Sequence, residues 1–504
     1  LKILLVNPRY PDTFFSFRHA LRFISKKAAI APLGLLTVAA MLPDAWSKRL
    51  LDMNIKELTD ADIIWADYVF ISAMSIQNKS VDDVVKRCNR LNAKIVAGGP
   101  LFTTGQDQFK NIDHLVLNEA EVTLPAFLKD LETGQARHVY TSSELPDISN
   151  SPIPLWKLAD MKQYARMSVQ YSRGCPYDCE FCDIVVLNGR KPRTKGKDQF
   201  LAELEALYIQ GWRGDVFVVD DNFIGNKLRL KAEILPALIE WIEKRKHPFS
   251  FTTQASINLA SDEHLMQQMV KAGFDTVFVG VETPNDESLS ECGKQHNRDR
   301  DLIASIKRIQ NYGMQVQGGF IVGFDNDPPS IFKTQINLIQ NSGIVTAVVS
   351  LLNAPRGTKL YTRLKGENRL LENDVFGDAA ATNIVPKMKY ETLLNGYHEI
   401  INSIYSPKQH YKRINMFLTE YTPRKNKRFR PHSSALIAFL KILWVLGVRY
   451  NDRRYFWMFL FSTLLKRPRF FALSMTLAAY GFHFRKVMES YNNTLLGARS
   501  QIAP

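Results

Sequence analysis

Cys175, Cys179 and Cys182 fall in a C-x3-C-x2-C spacing within Tyr171-Ser-Arg-Gly-Cys-Pro-Tyr-Asp-Cys-Glu-Phe-Cys-Asp183. Three thiolates on one short loop can hold three irons of a 4Fe–4S cube and leave the fourth iron without a protein ligand. The competing reading is zinc, which takes four nitrogen or sulfur ligands in paired spacing. Cys88 and Cys292 stand alone, and no His-x3–5-His pair accompanies the loop. The spacing therefore favours the cluster. Phe181, just before the last cysteine, and Tyr177 are suited to shield it, and burial of that kind helps set its potential.

Such a loop needs a scaffold. Strand patterns at 168–173, 216–220, 250–255, 276–281, 316–322 and 347–351 alternate with helical patterns at 197–210, 228–244, 262–272, 299–312 and 330–340. Six βα units form an open relative of the eightfold barrel, whose chemistry sits on the loops after the strands. Asp220, Asp221 and Asn222 follow the second strand, Glu282 ends the fourth, and the fifth carries Gly318, Gly319 and Gly323. A carboxylate there can take an ammonium by a charge-assisted hydrogen bond, or cap a helix. The glycines can admit a ligand or serve close strand packing. Arg190, Arg193 and Lys195 follow the cysteines; they either offset bound anionic groups or form a solvated basic loop.

Upstream, strands at 2–7, 68–72, 94–97 and 114–117 alternate with helices at 34–41 and 80–92, the pattern of a parallel doubly wound sheet. Ligands settle at the carboxyl ends of such strands. Asn7, Pro8, Ser72, Ser75, Gln77, Gly98, Gly99, Glu119 and Glu121 lie there. Paired glycines let backbone approach a large ligand, although Gly-Gly-Pro is also an ordinary turn. No G-x-G-x-x-G accompanies them, so a dinucleotide site is disfavoured.

The net charge of +15 resides near the C-terminus, where Tyr405 to Lys486 holds seventeen Lys and Arg against Glu420 and Asp452. Apolar runs at 435–448, 455–465 and 470–484 share that segment, and Lys441 interrupts the first. None reaches the roughly 18 uncharged residues of a membrane span. Apolar helices edged by basic residues either lie in a membrane interface or pack as a helical domain. Nucleic acid is disfavoured because no recognised binding fold accompanies the charge. Cysteine usage points to a reducing compartment, and the opening Leu1-Lys-Ile-Leu-Leu-Val-Asn7 lacks the charged n-region and cleavage site of a secretory signal. A cytoplasmic protein, with a peripheral contact at the inner face of the membrane, is expected. Composition shifts and Pro146, Pro152 and Pro154 divide the chain into 1–138, a linker 139–166, 167–370 and 371–504.

The cysteine loop resembles that of the radical S-adenosylmethionine (SAM) enzymes. With Val6-Asn-Pro-Arg-Tyr-Pro11, Val219-Asp-Asp-Asn-Phe-Ile-Gly-Asn226 and Gly280-Val-Glu-Thr-Pro284, residues 1–404 resemble the B12-binding members with a C-terminal extension, the hopanoid C-2 methylases among them. The resemblance implies an α/β chain: an N-terminal doubly wound, Rossmann-like cobalamin-binding domain, a partial (β/α)6 radical SAM barrel, and a mainly helical C-terminal domain. It implies SAM on the open iron, contacted by Phe181, Asp220, Asp221, Glu282, Gly319 and Gly323. Cobalamin would rest on Asn7, Pro8, Ser72, Ser75, Gln77, Gly98, Gly99, Glu119 and Glu121. The Asp-x-His-x-x-Gly motif is absent, so cobalamin is expected without a histidine under cobalt, His19 being the alternative. The implied reaction is hydrogen abstraction by an adenosyl radical, then methyl transfer from methylcobalamin to a carbon of a polycyclic lipid, with flavodoxin or ferredoxin as electron donor. The alternatives are a cobalamin-dependent oxidative cyclase without methyl transfer and a non-catalytic cobalamin or cluster sensor.

Overall fold

In the computed structural model, which describes residues 1–371, 381–423 and 433–502, the chain opens on a strand, β1 (Lys2–Asn7), whose side chains alternate between two cores. Leu4 and Val6 enter one; Ile3 and Leu5 enter the other. A short strand, β2 (Ala28–Ile30), comes next, followed by β3 (Ser47–Asp52), β4 (Tyr68–Ser72), β5 (Lys94–Gly98), β6 (His114–Val116) and β7 (Val139–Tyr140). The order β3-β1-β4-β5-β6-β7 is parallel throughout. Val69 and Ile71 against Phe70, and Ile95 and Ala97 against Val96, repeat the alternation of β1, so the sheet is buried on both faces as parallel sheets require. The helix Asn78–Arg90 covers one face because Val81, Val84, Val85 and Cys88 recur at helical spacing. Leu33–Met41 and Ala120–Glu132 cover the other.

Two compact units divide the chain. The first comprises Leu1–Pro11, Ile30–Ser250 and Ala354–Glu367. Besides the six-stranded sheet it contains β8 (Tyr164–Val169), β9 (Ser172–Arg173), β10 (Arg193–Thr194) and β11 (Gly214–Val218). β8 and β11 pair in parallel, with Val169 opposite Val218. β9 and β10 pair antiparallel, Arg173 opposite Arg193 and Ser172 opposite Thr194. That two-residue ladder pinches the chain between 174 and 192 into one closed loop, and the three cysteines lie on it.

The second unit comprises Asp12–Ala29, Phe251–Asn353 and the chain from Asn368 onward. β12 (Phe249–Gln254), from Phe251 on, pairs in parallel with β13 (Phe274–Glu282), which pairs with β14 (Gln315–Val322), which pairs with β15 (Ala347–Leu351). Helices Tyr390–Tyr405, Pro407–Glu420, Ser433–Ile442, Arg453–Lys466 and Phe471–Ile502 follow. Tyr405 anchors them: its hydroxyl donates to Ala347 O (2.6 Å) and accepts from Ala347 N (3.1 Å) on β15. Tyr411, Phe417, Leu446, Phe456, Phe459 and Phe470 share a core with Phe23 and Val345. One face of the basic tail is thus ordinary protein interior. No helix among the described residues is long and apolar enough to cross a membrane.

Candidate active site

The cysteine loop begins with a glycine that no other residue could replace cheaply. Gly174 has φ +93°, and a Cβ there would sit 2.9 Å from Gly189 O and 3.0 Å from both Asn188 O and Lys191 O. The near crossing lets Cys175 N donate to Gly189 O (3.2 Å), and Cys182 N closes a turn on Cys179 O (3.1 Å). All three thiols are free of disulfides and partly buried. Burial pushes Cys182 up to about 12, with Asp183, Cys179 and Cys175 adding to the rise. Three thiols on one short loop can give up their protons to bind metal, so this donor set fits an iron–sulfur cluster. Cys88, by contrast, is filler in the first sheet's core.

Parallel pairing of β8 with β11 brings the residues after each strand together. Asp220, expected against SAM, is fully buried and has both oxygens occupied: Oδ1 accepts from Tyr171 N (2.8 Å), and Oδ2 accepts from Ser172 N (2.7 Å) and the Ser172 hydroxyl. Burial pushes its carboxyl up to about 7 against those hydrogen bonds. Asp221 accepts from Gly174 N (3.2 Å) and Asn188 Nδ2 (3.0 Å), and burial raises it too. Asn222 Nδ2 lies 3.9 Å from Cys175 Sγ. The run Asp-Asp-Asn therefore clamps the cysteine loop, a positioning geometry for the two aspartates that were expected against SAM.

Glu119 and Glu121 are held as firmly. Expected against cobalamin, they meet the two arginines of the β9–β10 ladder. Arg173 donates to Glu119 Oε2 (2.6 Å) and, in a fork, to Glu121 (2.7 and 3.0 Å). Arg193 donates to both oxygens of Glu119, to Pro146 O (2.7 Å) and to Asn188 O (3.1 Å). Burial alone would raise Glu121, but the hydrogen bonds and charge of Arg173, with the Ser151 hydroxyl, bring it down to about 2. Lys195 pairs with the buried Glu203. Only Arg190, of the three cations after the cysteines, keeps a largely solvated side chain.

At the sheet's carboxyl edge the expected residues converge. Gln77 is buried; its amide nitrogen donates to Asn7 Oδ1 (3.3 Å) and Pro8 O, and its oxygen accepts from Met74 N (2.9 Å). Ser72 lies opposite Gly98, and Gly98 opposite Val116. A Cβ on Gly98 would meet Val116 O at 2.5 Å, and one on Gly99, at φ +94°, would meet Ser72 Oγ at 2.8 Å. Close packing of β5, β4 and β6 thus already requires the glycine pair. Ser75 opens the turn that carries Gln77. His114 and His138 stand at the amino ends of β6 and β7, and His247 precedes β12, so this unit brings no histidine to the carboxyl edge. A small-residue ledge of this kind fits the flat face of a corrin. His19, the alternative ligand, belongs to the second unit and is hydrogen-bonded to Asp12 (2.6 Å).

In the second unit Glu282 ends β13 after a register shift, at φ +64°, a left-handed conformation costly for glutamate. Its carboxylate pairs with Lys294, and its carbonyl accepts from Gln335 Nε2 (3.1 Å). Asn297 Nδ2 donates to the carbonyls of Gly280 (3.1 Å) and Val281 (3.0 Å). A Cβ on Gly319 would meet Phe278 at 3.0 Å, and one on Gly323, at φ +105°, would meet Leu393 at 3.1 Å. Gly323 N donates to Asp327 Oδ2 (2.9 Å), whose carboxyl burial pushes up to about 6. Close packing thus uses both glycines. Arg173, Lys294 and Asp327 had no motif to betray them, since each works through a partner distant in sequence or one outside any recognised spacing.

The family model described as Radical SAM superfamily matches residues 169–338, the B12 binding domain matches 24–128, and a domain of unknown function, DUF4070, matches 358–495. These place the chain among radical SAM enzymes with an N-terminal B12-binding domain, a central half-barrel of parallel strands and a helical C-terminal region. An uncharacterized methyltransferase of Synechocystis sp. is 38% identical over 97% of this chain and 92% of its own. Hopanoid C-2 methylase of Rhodopseudomonas palustris is 32% identical over 92% of this chain and 90% of its own. The structure of the radical SAM methyltransferase TsrM from Kitasatospora setae, with cobalamin and a 4Fe–4S cluster bound, shares the fold at TM-score 0.65 and 14% identity, covering 97% of this chain and 99% of that one. The chain belongs to the B12-dependent radical SAM methyltransferases. It is an enzyme whose cofactors are a 4Fe–4S cluster, SAM and cobalamin.

Proposed function

We propose that this protein methylates an unactivated sp3 carbon of a polycyclic lipid of the hopanoid class. The reaction type rests on one observation above others: the three-thiol loop and the last turn of the cobalamin-type sheet are locked together in one compact unit through Arg173, Arg193, Glu119 and Glu121. The substrate class rests on likeness to hopanoid C-2 methylase along nine-tenths of both chains. When bound, the cofactors supply a hydrogen-abstracting adenosyl radical and a cobalt-borne methyl group, which suits a carbon with no lone pair to attack a sulfonium. Cys175, Cys179 and Cys182 hold three irons, and Phe181 and Tyr177 limit water around them. Asp220 and Asp221 fix the backbone that carries the thiols. Asn7, Pro8, Ser72, Ser75, Gln77, Gly98 and Gly99 form the ledge for the corrin, while Glu282, Gly319 and Gly323 contact SAM. A flavodoxin- or ferredoxin-type protein delivers the electron.

Substrate is drawn from the inner face of a membrane by the C-terminal helices. Leu436, Ile437, Leu440, Trp444 and Val448, and then Met458, Phe461, Leu464 and Leu465, are exposed at helical spacing, Leu465 to 83%. Lys441, Arg449, Arg453, Arg454 and Lys466 are interleaved with them, a composition suited to an anionic lipid interface. Replacing Trp444 and Phe461 by serine is expected to lower sedimentation with anionic liposomes severalfold and leave SAM cleavage on soluble components intact; unchanged sedimentation rejects the contact.

The decisive assay supplies anaerobically reconstituted protein with SAM, methylcobalamin, reductant and a hopanoid. S-adenosylhomocysteine, 5′-deoxyadenosine and a hopanoid heavier by one methylene are expected together. Deoxyadenosine without homocysteine would favour an oxidative cyclase, and absence of SAM cleavage would favour a sensor.

A further inference from the structure

Asp12–Ala29 belongs to the second unit, as does the long helix Phe471–Ile502. Asp12 Oδ2 lies 2.6 Å from His19 Nε2, and the His19 and His483 ring centroids are 5.6 Å apart. One ligand atom from each of the three residues lies within 4.8 Å of the others. His483 is fully buried, and its Nε2 lies 3.1 Å from Thr13 O and 3.2 Å from Phe14 O. Two carbonyl acceptors require the proton on Nε2, which leaves the lone pair on Nδ1. That atom is buried without a hydrogen-bond partner among the described residues, an uncommon and costly state for a ring nitrogen. Burial holds the His483 imidazole neutral, down to about 4. Phe17 stacks on the same ring, its centroid 5.4 Å away, and shields it from water.

We propose that Asp12, His19 and His483 bind a borderline divalent transition-metal ion of the Zn2+ class. Two imidazoles and a carboxylate suit such an ion, and calcium or magnesium would demand more oxygens. The lone pair on His483 Nδ1 and the carboxylate of Asp12 then acquire a common partner. The ion ties the 12–19 segment to residue 483, ends of the chain that an unfolded polypeptide would bring together only at a large entropic cost. Its task is to pin Phe14 and Phe17 against the helix, where they pack on Phe484 with centroid distances of 5.5 and 5.9 Å.

The test uses the full chain, reconstituted with its cluster, treated with a mild chelator, incubated with Zn2+ and gel-filtered before elemental analysis. One zinc per chain is expected in the wild type. It is expected equally in a Cys175→Ala, Cys179→Ala, Cys182→Ala triple variant, which removes the cysteine loop as a zinc ligand. His19→Ala and Asp12→Asn, both on partly exposed positions, should keep the far-ultraviolet circular dichroism of the wild type and retain no zinc. Zn2+ should also raise the thermal midpoint of the wild type by several degrees and leave His19→Ala unmoved. Zinc retained equally by His19→Ala and the wild type, or by neither, overturns the site.

Discussion

Two pairs of carboxylates hold the cysteine loop, Asp220 with Asp221 on one side and Glu119 with Glu121 on the other, under opposite electrostatic conditions. The aspartates accept from backbone amides, a hydroxyl and an asparagine amide; burial therefore dominates and pushes Asp220 up to about 7. The glutamates accept from two guanidinium groups, and for Glu121 the cation outweighs burial and brings it down to about 2. Residues of one chemical type thus end on opposite sides of their ordinary range because of what donates to them. One grip is sensitive to pH near neutrality. Glu121, in the other, is indifferent to it.

The heaviest blow to the comparison is expected from Arg173→Met. It leaves Glu121 and part of Glu119 buried without their cation, and removing one partner of a buried pair costs about 3–5 kcal/mol. Urea unfolding followed by cluster absorbance should show the shift, and adding Glu121→Gln should recover part of it. If Arg173→Met unfolds like the wild type, the glutamate grip is decorative. Asp220→Asn comes next. A neutral aspartic acid can still accept on both oxygens, but an asparagine NH2 cannot accept from Ser172 N or its hydroxyl. Each stranded donor costs about 1–3 kcal/mol, and iron per chain after anaerobic reconstitution should fall severalfold. Wild-type loading would rule out the clamp.

The pH response separates the two grips further. Asp220 has a raised carboxyl, so its contribution is complete below its ordinary value of 3.8 and is lost as pH rises through about 7. Glu121 has a lowered one, so its contribution is complete above 4.5 and is lost only as pH falls through about 2. Between pH 8 and 5.5 the loop should therefore tighten, and iron release to a chelator should slow, in the wild type. Asp220→Asn should flatten that trend, and Arg173→Met should keep it. Equal slopes in the wild type and Asp220→Asn would detach the effect from this carboxyl.

How much of this was legible depended on distance along the chain. β1, β4 and β5 announce themselves as apolar runs because a parallel sheet is buried on both faces. The edge strand β3, Ser-Lys-Arg-Leu-Leu-Asp, escapes notice because its first four residues are exposed or half-buried. The cysteines are legible because their ligand geometry is local: three donors within eight residues. Their support is not, since Arg173 reaches Glu121 across 52 residues of sequence and Glu119 across 54. A carboxylate at a strand's carboxyl end signals function in composition alone, but whether it faces a cofactor or a neighbouring loop is decided by which strand lies beside it. Parallel pairing of β8 with β11 turned Asp220 toward Tyr171 and Ser172. The same limit hid the tail: its apolar runs read equally as core or interface, and helix rotation buries one face and leaves the other exposed.

The smallest expected effect sharpens the comparison from within one loop. Arg190 and Arg193 lie three residues apart and read alike in sequence, yet Arg193 is enclosed by Glu119, Pro146 and Asn188, while Arg190 lies 3.3 Å from Asp178 with 60% of its side chain exposed. Asp178 keeps a second cation, Lys359, when Arg190 is removed. An exposed pair with a substitute contributes at most about 0.5 kcal/mol, so Arg190→Ala should leave the unfolding midpoint and iron content within experimental scatter. Arg193→Ala should lower both, because Glu119 keeps only its bond to Arg173 and the Pro146 and Asn188 carbonyls lose a donor. Equal effects from the two substitutions would mean that burial of the β9–β10 ladder, rather than charge at the loop in general, has been misassigned as the source of its rigidity.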